Sequence, residues 1–253
     1  MAIPDPDAVA QVQRANWYHS FEVLPGLVTP GKMPTNARKT LDERFRLPED
    51  LTGKRALDIG ALDGPYAFEL ERRGARVVAM DIQDPDHTGF NTAKRVRHSK
   101  VEYIQGSAYD LAKLTTGKFD IVCFFGVYYH MKHPLIAFEQ IHSVLADDGV
   151  LLLEGECLLN HAEVPGSPRP VRSETVLTIA TSDLPLTLFY ARTYKGDITN
   201  WFIPNLACVR QWLEASALEL LSHGTAESHP FQRMFGVARK RKGARIEPDN
   251  PVW

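Results

Sequence analysis

The feature that most constrains the fold of this 253-residue chain is a glycine turn between two strand-like runs. The apolar run 55–59 predicts a short buried strand. The turn that overlaps its end, Asp58-Ile-Gly60-Ala-Leu-Asp-Gly64, leads into a helical segment at 66–73, and a β-branched run follows at 76–80. A strand, a glycine turn, a helix and a second strand in this order predict a parallel α/β sheet.

The same alternation of strands and helices continues along the rest of the chain. The run 119–125 is apolar on both faces, as a central parallel strand should be. Further predicted elements are strands at 101–105, 150–154, 218–223 and 231–240 and helices at 134–145 and 205–215. Together they predict an α/β fold with seven strands in a mostly parallel, Rossmann-like sheet that has helices on both faces.

Three regions fall outside this regular pattern. Residues 1–50 are rich in Pro and Gly, and we expect an N-terminal helix around 7–18 followed by an arm that either covers the ligand site or packs against the main sheet. Residues 157–204 interrupt the alternation with several prolines, which is typical of an insertion or lid over a site. The main domain then spans 51–240, with a tail at 241–253.

The composition is that of an ordinary globular protein, with 44% hydrophobic and 24% charged residues. No stretch reaches the run of about 18 apolar residues that a membrane helix needs, and polar residues occur throughout the N-terminus, so we expect neither a membrane span nor a secretion signal. Three cysteines, Cys123, Cys157 and Cys208, lack CxxC spacing and predict buried thiols, with no metal site and no disulfide framework. These features predict a cytoplasmic enzyme and leave its oligomeric state open.

The net charge of −2 does not favour a protein that grips a long phosphate backbone. The densest basic run lies at 239–245, near the C-terminus. It is either a solvated strand end and tail or a patch that contacts phosphates.

The glycine turn also predicts the kind of ligand. In an open α/β sheet the ligand lies beyond the carboxyl ends of the strands, where glycines let the backbone approach it closely and a following acid, here Asp81, accepts ribose hydroxyls. The spacing D-x-G-x-x-x-G, with Leu62 where a dinucleotide fingerprint has its second glycine, favours S-adenosylmethionine (SAM) over a dinucleotide. The alternative is a set of tight turns in an unrelated doubly wound protein. The candidate cofactor residues of the turn are Asp58, Gly60, Ala61 and Gly64.

Several blocks of the sequence resemble the class I methyltransferases related to the bacterial carboxy-SAM-dependent tRNA wobble-uridine carboxymethyltransferases. The blocks are Leu51 to Gly60, Phe125-Gly-Val-Tyr-Tyr-His130 with His133-Pro-Leu135 and Asp148 to Glu154, Asn200-Trp-Phe-Ile-Pro204 with Trp212-Leu213, and Trp17-Tyr-His-Ser-Phe21 with Thr29-Pro-Gly31. The resemblance implies a seven-stranded sheet with an antiparallel last strand. It also implies cofactor contacts at Gly60, Asp81, Ile82, Gln83, Ser107, Ala108 and Phe125.

Carboxy-SAM carries an additional carboxylate, which members of this family hold with a tyrosine, a lysine and an arginine. The resemblance places Tyr129 at the tyrosine and Arg233 at the arginine. The lysine position falls near Tyr18 or His19, where this chain has no lysine. Plain SAM is therefore the expected cofactor, with carboxy-SAM as the alternative.

Methyl transfer depends mainly on the alignment of acceptor, methyl group and sulfur, and a base helps only if the acceptor must lose a proton. His130 follows the fourth predicted strand and Glu154 ends the fifth, both on the expected rim of the site, and they are candidate catalytic residues, as is Tyr129. For His130 the alternative is a helix cap or a hydrogen bond to a loop, and for Glu154 a contact with loop backbone. Candidate acceptor contacts, each of which can instead serve packing, are Trp17, His19, Asn200, Trp201 and Phe202.

Three functions remain open from the sequence. A methyltransferase acting on an O, N or S nucleophile of a small molecule accounts for the neutral charge, the missing lysine and the long insertion. A tRNA-modifying enzyme accounts for the family blocks and the basic run. A SAM-binding protein that uses the cofactor for other chemistry is the third.

Overall fold

The computed structural model describes residues 4–163, 169–191, 194–228 and 231–246. The chain divides into two compact units, Met1–Cys123 and Phe124–Trp253. The predicted insertion at 157–204 and the predicted tail at 241–253 therefore lie partly outside the described residues. Within the described ranges, no helix is both long and apolar enough to cross a membrane.

The N-terminal arm of the first unit has more regular structure than its sequence predicts. Its elements are α1 (Pro6–Arg14), β1 (His19–Ser20), β2 (Glu22–Leu24), β3 (Leu27–Val28), β4 (Met33–Pro34) and α2 (Ala37–Glu43). Strand β1 pairs in parallel with β4, and β2 pairs antiparallel with β3. The prediction that the helix extends to residue 18 was wrong, because the backbone is already extended at Ala15 and the Trp17 indole donates back to the carbonyl of Val12 over 2.7 Å.

The rest of the first unit is the predicted strand–turn–helix–strand sequence and its continuation. Its elements are β5 (Arg55–Ile59), α3 (Pro65–Arg72), β6 (Arg76–Asp81), α4 (Phe90–Val96), β7 (Glu102–Gln105), a 3-10 turn (Ala108–Asp110), α5 (Leu111–Leu114) and β8 (Phe119–Phe125), which ends in the second unit. Strands β5, β6 and β7 are parallel neighbours. Their carboxyl ends, and the loops that follow them, therefore share one edge of the sheet.

The second unit contains the remaining strands and the insertion. Its elements are a 3-10 turn (Tyr128–His130), α6 (Pro134–Val144), β9 (Leu145–Glu156), α7 (Glu174–Thr181), β10 (Thr187–Phe189), β11 (Phe202–Pro204), α8 (Leu206–Ala215), β12 (Leu218–Ser228) and β13 (Phe231–Lys240). The predicted start of β9 at Val150 was wrong, because the strand follows α6 directly from Leu145. The predicted end of β12 at His223 was also too early, because its pairing with β13 continues to Ser228.

The seven-stranded sheet has the order β12-β13-β9-β8-β5-β6-β7. Strand β13, the last in the chain, is antiparallel to both β9 and β12. The predicted fold class, a mostly parallel Rossmann-like sheet of seven strands with an antiparallel last strand, is confirmed. The chain order reverses at β5, and in sheets of this kind the ligand lies beyond the carboxyl end of that strand.

The insertion is more ordered than its prolines suggest. It holds α7 and the antiparallel pair β10 and β11, and a small apolar core of its own. The residues of that core are Leu158, Ala162, Ala180, Tyr190, Tyr194 and Ile203. The insertion therefore has a packed core of its own, which supports the aromatic side chains that it carries.

Candidate active site

The glycine turn after β5 is built from left-handed backbone. Gly60 has a φ of +76° and Gly64 a φ of +86°. A Cβ atom on Gly64 would lie 2.7 Å from the Phe68 ring and 2.8 Å from the Phe90 ring, so only glycine fits there. Leu62 shares the left-handed conformation, with a φ of +51°, which costs a non-glycine residue about 1–2 kcal/mol. Backbone strain at such a turn is typical of ligand-binding segments.

Asp81 at the end of β6 holds the turn in place. Its Oδ2 accepts from the amide of Leu62 and its Oδ1 from the amide of Gln83, both over 2.9 Å. Burial raises the pKa of Asp81, against the opposing effect of these amides. Each carboxylate oxygen has a further lone pair, so Asp81 can still accept the two hydroxyls of a ribose.

The loop after Asp81 is fixed from the neighbouring strand β7. The hydroxyl of Tyr103 donates to the carbonyl of Gln83 over 2.8 Å, and the side-chain amide of Gln105 donates through Nε2 to the carbonyl of Ile82 over 3.2 Å. The Ile82 side chain nevertheless remains 68% exposed. A loop fixed in this way, with an uncovered apolar side chain beside the acid that is predicted to bind a ribose, suits a flat aromatic base.

The loop after β7 joins the same edge of the sheet. The amide of Gly106 donates to the carbonyl of Asp81 over 2.8 Å, and the Ser107 hydroxyl caps the following turn by accepting from the amide of Tyr109. Ala108 is buried. The structure thus brings together the predicted cofactor residues of the first unit, which are Asp58, Gly60, Ala61, Gly64, Asp81, Ile82, Gln83, Ser107 and Ala108.

Asp58 at the end of β5 is a buried carboxylate with an unsatisfied oxygen. Its Oδ2 atom has no hydrogen-bond partner within the described residues. Burial raises the pKa of Asp58 to about 7, and repulsion from Asp81 acts in the same direction. A buried polar atom without a partner is costly in a folded protein and calls for an explanation such as a bound ligand. The sulfonium and ammonium groups of SAM are cations that suit this carboxylate.

Asp63 is a residue that the sequence interpretation missed. Its side chain is fully buried, and its Oδ2 accepts from the amides of Tyr18 and His19 over 2.9 and 2.8 Å. Its Oδ1 contacts the Nδ1 atom of His19. These bonds fasten the N-terminal arm to the glycine turn. The only signal in the sequence was an acid inside a turn whose neighbours are glycine and apolar residues.

Trp17 of the arm is a packing residue. It is buried, and a Cβ atom on Gly89 would lie 2.1 Å from its ring, so the indole packs directly on the backbone before α4. Its ring also meets Phe21 edge-on at 5.9 Å. These contacts account for Trp17 without the predicted contact to an acceptor.

A cavity of about 690 Å³ opens between the arm and α3. Phe21, Phe68 and Arg97 line it, and no predicted site residue does. The Arg97 guanidinium donates there to the carbonyl of Val23 over 2.6 Å and lies over the face of the Phe68 ring. We assign the cavity no role in the chemistry.

The second unit centres on Arg233 of β13. Its Nε and Nη2 atoms donate to Glu154 over 2.7 and 3.2 Å and so form a bidentate ion pair. Its Nη1 atom donates to the Tyr129 hydroxyl over 2.8 Å. Burial raises the pKa of Tyr129 to about 12, so the phenol stays neutral. The carboxylate of Glu154, a predicted catalytic residue, is paired with Arg233, and its role in catalysis stays a prediction.

A second carboxylate, Glu156, completes this cluster and was also missed. Its Oε1 accepts from the Tyr194 hydroxyl at 2.9 Å and from the Lys195 ammonium at 2.5 Å, and its Oε2 accepts from Arg233 at 3.4 Å. A lysine is thus present near Tyr129 and Arg233, but the insertion supplies it and Glu156 neutralises it. The charges of the cluster, Glu154, Glu156, Lys195 and Arg233, balance.

His130 and the residues of the insertion lie beside this cluster. The His130 Nδ1 atom lies 2.8 Å from the Thr199 hydroxyl, and burial lowers the pKa of the imidazole. The amide of Trp201 donates to the carbonyl of Tyr129 over 2.8 Å, and the Lys132 ammonium lies 4.9 Å from the centre of the Trp201 ring. This backbone hydrogen bond between the two segments fixes Trp201 next to Tyr129.

The other predicted residues of the second unit have mixed surroundings. Asn200 is buried, and its Oδ1 atom has no hydrogen-bond partner in the described part of the chain. Phe202 packs against Phe189 at 5.5 Å and Trp212 at 6.3 Å, which gives it a packing role. Phe125 at the end of β8 is half-buried.

A family model described as a methyltransferase domain matches residues 32–165, more than half of the chain. The chain belongs to this methyltransferase family. The predicted enzyme class, a methyltransferase, is confirmed.

Curated relatives point to the branch that the sequence resembles. The tRNA U34 carboxymethyltransferase of Aeromonas hydrophila is 28% identical over 210 residues, which are 80% of this chain and 57% of the relative. The enzyme of the same name from Desulforapulum autotrophicum is 27% identical over 173 residues, 68% of this chain and 46% of the relative. The chain spans about half the length of the curated relatives it matches.

Solved structures share the fold at lower identity. The N-terminal domain of EvdMO1, crystallised with S-adenosylhomocysteine (SAH) and D-fucose, aligns with a TM-score of 0.61 at 18% identity, covering 93% of this chain and 95% of that domain. A SAM-dependent methyltransferase from Listeria monocytogenes, described as putative, aligns with a TM-score of 0.58 at 15% identity, covering 82% of this chain and all of the other. These likenesses support the class I methyltransferase fold.

Proposed function

We propose that this methyltransferase uses SAM and transfers its methyl group to a hydroxylated small molecule. The observation that carries the cofactor assignment is the buried oxygen of Asp58, which has no partner among the described residues and lies beside the strained turn and Asp81. Asp81 would accept the ribose hydroxyls, Ile82 would cover the adenine, and Asp58 would compensate the positive charge of the cofactor. When bound, SAM supplies a methyl group on a sulfonium for in-line displacement.

The residues of the chain then act mainly by positioning. The glycine turn and Asp81 are rigid before any ligand binds, because backbone amides already hold the carboxylate. A preformed cradle saves entropy when the ligand is aligned for reaction. The chemistry that remains for side chains is to orient the acceptor and, where the acceptor carries a proton, to accept it.

The charge distribution favours a small acceptor. In the basic run near the C-terminus, Arg239 pairs with Glu219 and Lys240 with Asp147, so these two cations are already compensated. In the second unit, Glu154 and Glu156 balance Arg233 and Lys195. Such a neutral, hydrogen-bonding cluster suits an uncharged polar acceptor better than a phosphate backbone.

The second candidate is a tRNA enzyme that uses carboxy-SAM. The names of the curated relatives support it, as does the hydrogen bond between Arg233 and Tyr129, the two residues that the resemblance assigns to the additional carboxylate. Against it stands the neutralisation of Arg233 by Glu154.

Ligand analysis tests the proposal. Mass spectrometry of the ligand that copurifies with the full chain should detect SAM or SAH, and calorimetry should show SAH binding. Detection of carboxy-SAM instead supports the second candidate. Unfractionated tRNA should not bind at low salt, whereas tight binding that weakens steeply with added salt would favour the tRNA enzyme.

A further inference from the structure

The bond between His19 and Asp63 has the geometry of a histidine positioned for proton transfer. Asp63 is fully buried, and its Oδ1 contacts Nδ1 of His19. Its Oδ2 is occupied by the amides of Tyr18 and His19, so the carboxylate cannot turn away from the ring. A carboxylate at Nδ1 fixes the tautomer of a neutral imidazole with its proton on Nδ1 and the lone pair on Nε2.

The backbone of His19 is as firmly held as its ring. The Thr29 hydroxyl donates to the His19 carbonyl over 2.7 Å, and Gly31 packs so closely on that carbonyl that a Cβ atom would lie 2.1 Å from it. The His19 side chain remains 18% exposed. Among the residues that the structure describes, Asp63 is the hydrogen-bond partner of the ring. Nε2 is thus a free acceptor on a rigid support.

The pair of His19 and Asp63 lies at the glycine turn, because Asp63 is a residue of that turn. Asp63 lies between the strained Leu62 and Gly64, the two positions with left-handed backbone at the end of the turn. The imidazole is therefore held against the segment that is proposed to bind the cofactor.

We propose that His19 is the general base of the transfer reaction and that Asp63 is its positioning residue; this rests on the proposed function. The acceptor oxygen forms a bond to the methyl carbon, and the carbon–sulfur bond breaks with its electron pair remaining on sulfur. The acceptor proton passes to Nε2 of His19, and Asp63 stabilises the imidazolium that results. The acceptor class is accordingly an alcohol or phenol that must lose a proton.

The two other candidate bases are less suited to this role. Glu154 is neutralised by Arg233 through two hydrogen bonds. His130 has a hydroxyl, that of Thr199, at its Nδ1 atom, and burial lowers its pKa, which weakens it as a proton acceptor. By contrast, His19 has the carboxylate of Asp63 at its Nδ1 atom, which can stabilise the imidazolium that forms when Nε2 accepts a proton.

The same contacts could also serve only to fasten the arm, and two variants separate the roles. His19→Asn keeps an amide N–H near the position of Nδ1, so it retains the bond to Asp63 and lacks Nε2. Asp63→Asn disturbs both the bond and the tautomer. We expect His19→Asn to retain the thermal stability and SAH affinity of the wild type and Asp63→Asn to lose stability.

The decisive experiment uses an aziridine analogue of SAM, which alkylates the nucleophile nearest to its reactive carbon. Incubated with the full chain without an acceptor, it should alkylate His19, as read by peptide mass spectrometry. The adduct should disappear in His19→Asn and persist in His130→Asn. An adduct on another residue, or none although the analogue binds, would overturn the proposal. Absence of binding by both the analogue and SAH would instead contradict the proposed function.

Nitrogen-15 NMR of the imidazoles gives a second readout that needs no cofactor. At mildly alkaline pH the wild type should show His19 with a protonated Nδ1 and an unprotonated Nε2. Asp63→Asn should shift His19 toward the Nε2-protonated tautomer. A wild-type spectrum with the proton on Nε2 would refute the role of Asp63.

Discussion

The backbone amide of Leu62 donates to the carboxylate of Asp81 over 2.9 Å, and this bond holds a leucine in left-handed backbone at a φ of +51°. Glycine would remove that strain, but glycine also gives the unfolded chain more freedom. The acid that is expected to bind the ribose therefore also shapes the turn.

Replacing Leu62 tests this balance. Leu62→Gly and Leu62→Ala both lose the contacts of the leucine side chain, but only Leu62→Ala keeps the backbone strain. Because relief of strain and the added entropy of the unfolded chain oppose each other, Leu62→Gly should be the more stable of the two by less than about 1 kcal/mol. Chemical denaturation measures both, and a Gly variant less stable than the Ala variant would contradict the account.

Asp81 should control the affinity for the cofactor. Asp81→Asn removes a charged acceptor, and hydrogen bonds to charged groups contribute about 1.5–3 kcal/mol, so SAH should bind roughly 10- to 100-fold more weakly. Titration calorimetry measures the change. Asp86→Asn is the matched control, because it removes an exposed carboxylate from the same loop and should leave binding unaltered. Equal losses in both variants would show that net charge, and not the site, sets the affinity.

Asp58 should make stability depend on pH. Burial raises its pKa to about 7 in the folded protein, above its value in the unfolded chain. The stabilisation linked to its proton is therefore fully present below about pH 4 and is lost as the pH rises through about 7. Asp58→Asn cannot lose that proton, so its stability relative to the wild type should rise across this range. Urea denaturation at a series of pH values checks it, and a constant difference would contradict the raised pKa.

The ion pair between Arg233 and Glu154 should show non-additive energetics. Arg233→Met leaves a largely buried carboxylate without its partner and should cost about 3 kcal/mol. The double variant Arg233→Met with Glu154→Gln removes both charges and should recover part of that loss. A double-mutant cycle by chemical denaturation measures the coupling. Additive losses would indicate that Glu154 is not stabilised by Arg233.

The local pattern of the sequence was sufficient for the central part of the fold. The strand 55–59, the turn at Gly60 and Gly64, and the acid Asp81 depend on contacts that are short in the chain or follow the ordinary βαβ connection. The class of enzyme and the seven-stranded sheet could therefore be predicted. The cofactor role of these residues stays a prediction.

The contacts that the sequence did not predict join segments far apart in the chain. Asp63 bonds to His19, which lies 44 residues upstream, and Glu156 bonds to Lys195, which lies 39 residues downstream. No periodicity relates such pairs, because each exists only after the arm or the insertion has packed. The strands of the arm are not evident from the sequence because each is only two or three residues long and pairs only after the arm has packed.

The packing contact between Trp17 and Gly89 holds the arm at a point that has no part in the proposed chemistry. The indole lies where any side chain on residue 89 would have to be. The single methyl group of Gly89→Ala is therefore enough to displace the Trp17 indole, which packs the arm on the backbone before α4. The residues of the glycine turn stay unchanged in such a variant.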